Sequence, residues 1–218
     1  MKTLLASSIT LLLMAVLAIT MTHGFTVFTQ EQARKMFIVK HQPRLPHIQL
    51  INANGQSFFL DDWVLQQNKL IVVNLIYTRC NAICKTAGNE FQQLQRIIQS
   101  EHLQDRISLF TVSFDPNYDK PQVLAAYSHL QRAENNIWQF ATVHNNTDLP
   151  ALLDFFGIVV IADEWGGFQH NNALLAVRSN AHLFDVDNDF ATTQRKQNDY
   201  HKLLSTWLQQ NPILASSI

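Results

Sequence analysis

Cys80 and Cys84 are the only cysteines in the chain, four positions apart within Leu70–Leu94, LIVVNLIYTRCNAICKTAGNEFQQL. On a helix, positions i and i+4 lie on one face. Two sulfurs so placed can approach each other, because their α-carbons are about 6 Å apart, within the span of a disulfide. The same spacing lets both thiolates grip one metal ion. A purely structural disulfide is the bland alternative. A bridge across one helical turn closes a tiny loop and stabilises little through chain entropy. A reactive or metal-binding pair explains the spacing better. A helix N-terminus and the neighbouring Arg79 both favour the thiolate form.

Two elements must position this pair. The uncharged, β-branched run Leu70–Tyr77 reads as a buried strand that stops at Thr78-Arg79. Phe91, Leu94, Ile97 and Ile98 recur at spacings of three and four, which predicts a helix over Asn81–Ser100. The cysteines therefore sit where a strand hands over to a helix. Further along, Ile107–Phe114 and Trp138–Val143 read as buried strands, and Pro121–Leu130, Ala151–Phe156 and Gln197–Gln209 as helices, with Gly157 as a stop signal. Ile48–Ile51 and Ser57–Leu60 flank an Asn54-Gly55 turn, and Asp61-Asp62-Trp63 opens a short helix. Ala173–Arg178 and Ala181–Val186 flank Ser179-Asn180 as a second hairpin. This order predicts a mixed α/β sheet with helices on both faces. Trp63, Trp138 and Trp207 are expected in the core.

Composition bounds the function. The chain has 218 residues, a net charge of −1 and no basic run, which argues against nucleic acid as a partner. Fourteen Phe against six Gly and six Pro imply a large, regular core. Leu4–Met21 is uncharged and about as long as a bilayer-spanning helix. Residues 1–28 are therefore expected to be a membrane anchor or uncleaved signal, 29–44 a polar, basic connector, and 45–218 one domain. Lys2 on one side and Arg34, Lys35 and Lys40 on the other leave orientation open by charge. Paired cysteines suit an extracytoplasmic space such as the periplasm.

Two thiolates leave a metal open on one side, so a third ligand is expected. A soft set of two sulfurs favours copper(I), and an added imidazole extends it to copper(II). Of nine histidines, His170 follows Trp165-Gly166-Gly167-Phe168, a loop that two glycines can bend toward the cysteines. It also reads as an ordinary solvated loop histidine. His144 is the next candidate, and His182 alternates with core residues on a strand. Asp115 ends the second strong strand on the carboxyl edge where sites form in open α/β sheets. It also fits a plain turn-starting Asp before Pro116.

The pattern resembles the SCO/SenC family of thioredoxin-fold copper chaperones over roughly Leu45 to Gln209. The resemblance rests on Leu50-Ile51-Asn52 with Gly55 and Leu60, and on Ile76-Tyr77-Thr78-Arg79-Cys80 followed by Cys84. It also rests on Val112-Ser113-Phe114-Asp115-Pro116 with Asp119 and Pro121, on His170, and on Leu183-Phe184-Asp185. The family has Pro-Asp between its cysteines and Pro after them, where this chain has Asn81-Ala82-Ile83 and Lys85. Its Asp-His-Ser around the histidine reads Gln169-His170-Asn171. The resemblance implies a copper ion held by Cys80, Cys84 and His170, with Asp115 in support. It also implies a partner in the copper A subunit of cytochrome c oxidase or another cuproprotein. The rivals are a thiol-disulfide oxidoreductase and a redox sensor, both using Cys80 and Cys84 without metal. The absence of proline between Pro150 and Pro212, where dithiol reductases place a cis-proline, weighs against the first.

Overall fold

The computed structural model describes residues 2–21, 29–80, 83–164, 166–188 and 197–211. Strands β1 (Gln49–Asn52) and β2 (Ser57–Phe59) form the opening hairpin, and α3 (Leu60–Gln67) follows α1 (Lys2–Met21) and α2 (Gln30–His41). Then come β3 (Leu70–Ile76), α4 (Ile83–Ser100), β4 (Ile107–Ser113), α5 (Pro121–Leu130), β5 (Trp138–Val143) and α6 (Leu149–Phe156). β6 (Val160–Ala162), β7 (Phe168–His170), β8 (Leu174–Val177), β9 (Leu183–Asp187) and α7 (Gln197–Gln209) complete the chain. Seven strands pair in the order β2-β1-β5-β4-β3-β8-β9. The central β3, β4 and β5 are parallel, with Leu70 opposite Ile107 and Leu109 opposite Trp138. β1 and β8 run antiparallel to their central neighbours. The mixed α/β sheet with helices on both faces is as expected.

Every residue of β3 and β4 is buried, which explains runs without polar alternation. Alternate positions serve opposite faces. Ile71, Val73, Leu75, Phe110 and Val112 pack toward Trp63 and Val64 of α3 and Leu152 and Phe156 of α6. Leu70, Val72, Ile107 and Leu109 pack toward Phe91, Leu94 and Ile98 of α4 and Tyr200, Leu204 and Trp207 of α7. All three tryptophans expected inside are buried. A chain of hydrogen bonds crosses the middle of the sheet: Trp138 Nε1–H donates to Thr111 Oγ1 (2.8 Å), and Thr111 donates to Asn74 Oδ1 (2.7 Å).

Two segments differ from expectation. Residues 29–44, read as a connector, carry helix α2. Thr29 and Gln32 form a reciprocal capping box, Glu31 sits in the first turn, and Lys40 and His41 sit in the last. Its apolar residues are too sparse to announce a buried face, yet Ile38 is buried and α2 lies against β9. The second difference is that β6 and β7 form a two-stranded ribbon, pairing Val160 with His170 and Ala162 with Phe168. His170 therefore ends a strand, where a loop was expected. Three-residue strands are too short to show a period-two pattern. Among the described residues no helix is long and apolar enough to cross a membrane. The large apolar side chains of α1 from Leu11 to Leu17 are exposed.

Candidate metal centre

β3 ends at Ile76 on the carboxyl edge of the parallel strands, and Tyr77, Thr78 and Arg79 lead to Cys80. Cys80 is half-buried and packs against the core cluster of the α3 and α6 face. Cys84 lies on the first turn of α4, inside the helix predicted over Asn81–Ser100, and Cys80 precedes that helix. Its side chain, like Asn81, Ala82 and Trp165, lies outside the described residues.

The turn before Cys80 is held from below by Asp119, which is fully buried. Its carboxylate accepts from the Thr78 amide (3.0 Å), the Thr78 hydroxyl and the Ser113 hydroxyl. Burial pushes the Asp119 carboxyl above its ordinary value, against the pull of those donors. Asp115, also buried, takes the Arg79 guanidinium at 2.7 Å, and Arg79 lies over the Tyr118 ring at 4.4 Å. This alters the expected part of Arg79. Its charge is engaged by Asp115 and screened from acting as a free cation beside the Cys80 thiol. Asp115 also closes a turn, accepting at its carbonyl from the Tyr118 and Asp119 amides. It is thus a turn residue and an anchor for the residue preceding Cys80.

His170 meets the same edge from β7. Its ring lies edge-on to Phe114 (centroids 4.9 Å) and Tyr77 (6.0 Å), the residues that follow β4 and β3. The Tyr77 hydroxyl donates to the Phe168 carbonyl and accepts from the Phe168 amide, both at 3.2 Å. The His170 strand is thereby tied to the residue that opens the cysteine turn. His170 Nδ1–H donates to the Asn171 carbonyl (3.0 Å), so the ring's lone pair falls on Nε2, the arrangement usual for a metal ligand. Burial lowers the His170 pKa and favours the neutral imidazole. Cys80, His170 and Asp115 are thus brought to one edge through shared neighbours. His144 follows β5 on the same carboxyl edge but two strands away from β3, exposed and with Ser57 as its partner.

Sequence reasoning missed Tyr77 and Asn171 and gave Asp119 no role. Asp119 belongs to the recognised Asp115-Pro116 segment, which was a usable signal. Tyr77 and Asn171 likewise stand inside the recognised Ile76–Cys80 and Gln169-His170-Asn171 segments, with nothing local to say what their side chains meet. Among the described residues one group of three gathers its ligating atoms within 4.8 Å of one another, His47, Asp61 and Asp62. Asp61 accepts from His47 Nδ1 (2.8 Å), and both aspartates sit in the first turn of α3, where the helix dipole favours them.

The SCO1/SenC family model matches residues 42–208. The SCO1 protein homolog of Bacillus subtilis (strain 168) is 26% identical over 110 residues, 50% of this chain and 54% of that protein. The match thus spans about half the length of that relative. A SCO1/SenC family lipoprotein from Bacillus anthracis str. Ames superposes with a TM-score of 0.66 at 20% identity, over 78% of this chain and 95% of that one. Arabidopsis thaliana ScoI, solved with copper bound, gives 0.62 at 12% identity over 75% and 96%. BsSco, described as a cytochrome c oxidase assembly protein with a disulfide switch, gives 0.64 at 17% identity over 77% and 95%. At these identities the structures establish a common fold.

Proposed function

The chain belongs to the SCO1/SenC family, and on that footing we propose that it is a copper metallochaperone whose cargo is held by Cys80, Cys84 and His170. The observation that carries the reading is the edge-on packing of His170 against Tyr77 and Phe114, which brings the imidazole to the strand end that launches the cysteine turn. Two soft sulfurs and one borderline nitrogen suit copper in both oxidation states. The recipient is the copper A subunit of cytochrome c oxidase or another cuproprotein. The same dithiol serves a second mode: one thiolate attacks a partner's disulfide, the other resolves the mixed disulfide, and two electrons and two protons pass to the partner. Asp115, through Arg79, steadies the turn that bears Cys80.

The test is a copper(I) titration of the reduced full chain in detergent. One equivalent per chain is expected, lost in Cys80→Ser and in Cys84→Ser. Asp115→Asn is expected to keep the stoichiometry while slowing transfer to a copper-free acceptor. Turnover of a disulfide substrate with no copper uptake would hand the function to the thiol-disulfide oxidoreductase or sensor reading.

Helix α1 is proposed to hold the domain at a membrane, on the extracytoplasmic side, because its large apolar side chains from Leu11 to Leu17 stand exposed. Alkaline carbonate extraction should leave the full chain with the membrane and release a chain beginning at Gln30. Release of both would remove the anchor.

A further inference from the structure

Helix α2 and His170 are joined through one side chain, Asn171. Its Nδ2 donates to Glu31 Oε1 of α2 (2.9 Å) and to the Gly157 carbonyl at the end of α6 (3.0 Å). Its Oδ1 accepts from the Val159 amide (2.7 Å), just ahead of β6. Both donors and the acceptor of one amide are thus used, on α2 and on the short link between α6 and β6. Its backbone carbonyl takes the His170 Nδ1–H. From the α2 side, Arg34 Nη1 donates to the same Gly157 carbonyl (2.6 Å) and Nη2 donates to Asn188 Oδ1 (3.3 Å). Asn188 Nδ2 in turn donates to the Glu31 carbonyl (3.3 Å). Gly157 has a φ of +62°, which favours glycine, and a β-carbon there would lie 2.4 Å from Arg34 Cδ and push that side chain aside.

Resting on the copper-binding reading, we infer that Asn171 is a positioning residue for His170, and that through it helix α2 belongs to the metal-binding unit. The ribbon that carries His170 is only three residues deep on each side and joins the main sheet by none of its own strands. Its orientation depends on Tyr77 at one end and on Asn171 at the other. Tyr77 sets the distance to the cysteine turn. Asn171 sets the pivot of the imidazole, since the carbonyl that orients the ring belongs to the residue clamped to α2. Binding energies are reciprocal. Whatever α2 contributes to placing His170, cargo on His170 returns to α2. The segment next to the proposed anchor thereby reports the state of the site.

Asn171→Ala in the full chain tests this. Loss of an outer partner of a ligating histidine typically costs roughly 10–100-fold in affinity. Copper(II) affinity is expected to fall about tenfold, at the lower end of that range, with a shifted thiolate-to-copper absorption, while copper(I) affinity stays within about twofold. Amide exchange across residues 30–41 should quicken in the copper-free variant. In wild type, copper(II) should slow that exchange, and in His170→Ala it should not. Glu31→Gln keeps an oxygen for Asn171 Nδ2 but gives up the ion pair to Arg34 (3.3 Å), so it should lose less than Glu31→Ala, which should follow Asn171→Ala. That pair decides the matter if Asn171→Ala fails to fold. Wild-type copper(II) titration and spectrum in Asn171→Ala and Glu31→Ala would overturn the inference while leaving His170 a ligand. If instead His170→Ala itself titrates like wild type, the ligand assignment falls and this coupling with it.

Discussion

His170→Ala is expected to weaken copper(II) binding by more than the roughly 10–100-fold that loss of an outer partner costs, because a ligand itself is removed. Copper(II) is a borderline ion that two thiolates serve incompletely, and the imidazole supplies the missing nitrogen. Copper(I) is content with two sulfurs in a nearly linear arrangement, so its affinity falls less. The ring stands at the end of the short strand β7 and packs edge-on against Phe114 and Tyr77, so the fold should survive the change. Formation of a Cys80–Cys84 disulfide under mild oxidation should survive as well, since the histidine takes no part in that bond. The measurement is a pair of titrations, copper(II) and copper(I), on wild type and variant, with absorption spectra. A metal-free reductase has no reason to respond in this pattern. Superimposable curves would return His170 to the status of a packed aromatic ring.

Thr111→Val is expected to cost about 2–5 kcal/mol of stability, a large share of a domain's total. Valine keeps the shape of threonine, so no cavity opens. What is lost is the hydroxyl at the centre of the three-strand chain. Thr111 accepts from Trp138 Nε1 and donates to Asn74 Oδ1, and all three residues are buried. The variant leaves one buried donor and one buried acceptor without their partner, each worth about 1–3 kcal/mol of desolvation. Thr111→Ser keeps both bonds and loses one methyl, a cost of about 1 kcal/mol. Urea melts of the two variants separate the explanations. Near-equal losses would mean that packing, and not the hydrogen bonds, carries the effect. Because Thr111 lies two residues ahead of Ser113, which supports Asp119, a loosened β4 should also increase the reactivity of the Cys80 thiol.

The sequence by itself determined the sheet-forming runs, the long helices and the place of the cysteines. Those features are local. Short β-branched apolar stretches bounded by turn residues read as strands buried on both faces, a 3.6-residue apolar period reads as a helix with one face inside, and two cysteines four positions apart need no partner to be recognised. Even the carboxyl-edge position of Asp115 follows from two strands being parallel. Helix α2 was missed because its stability comes from a capping box and one buried isoleucine against β9, a contact between residues far apart in sequence. The β6–β7 ribbon was missed because each strand is too short to show a period. The tertiary structure decided which groups surround the site. It set Arg79 on Asp115, Asp119 under Thr78, Tyr77 on Phe168 and Asn171 on Glu31, pairings whose members lie up to 140 positions apart. Hydrogen bonds of a few ångströms depend on where the backbone brings two side chains, and no spacing within one segment encodes that.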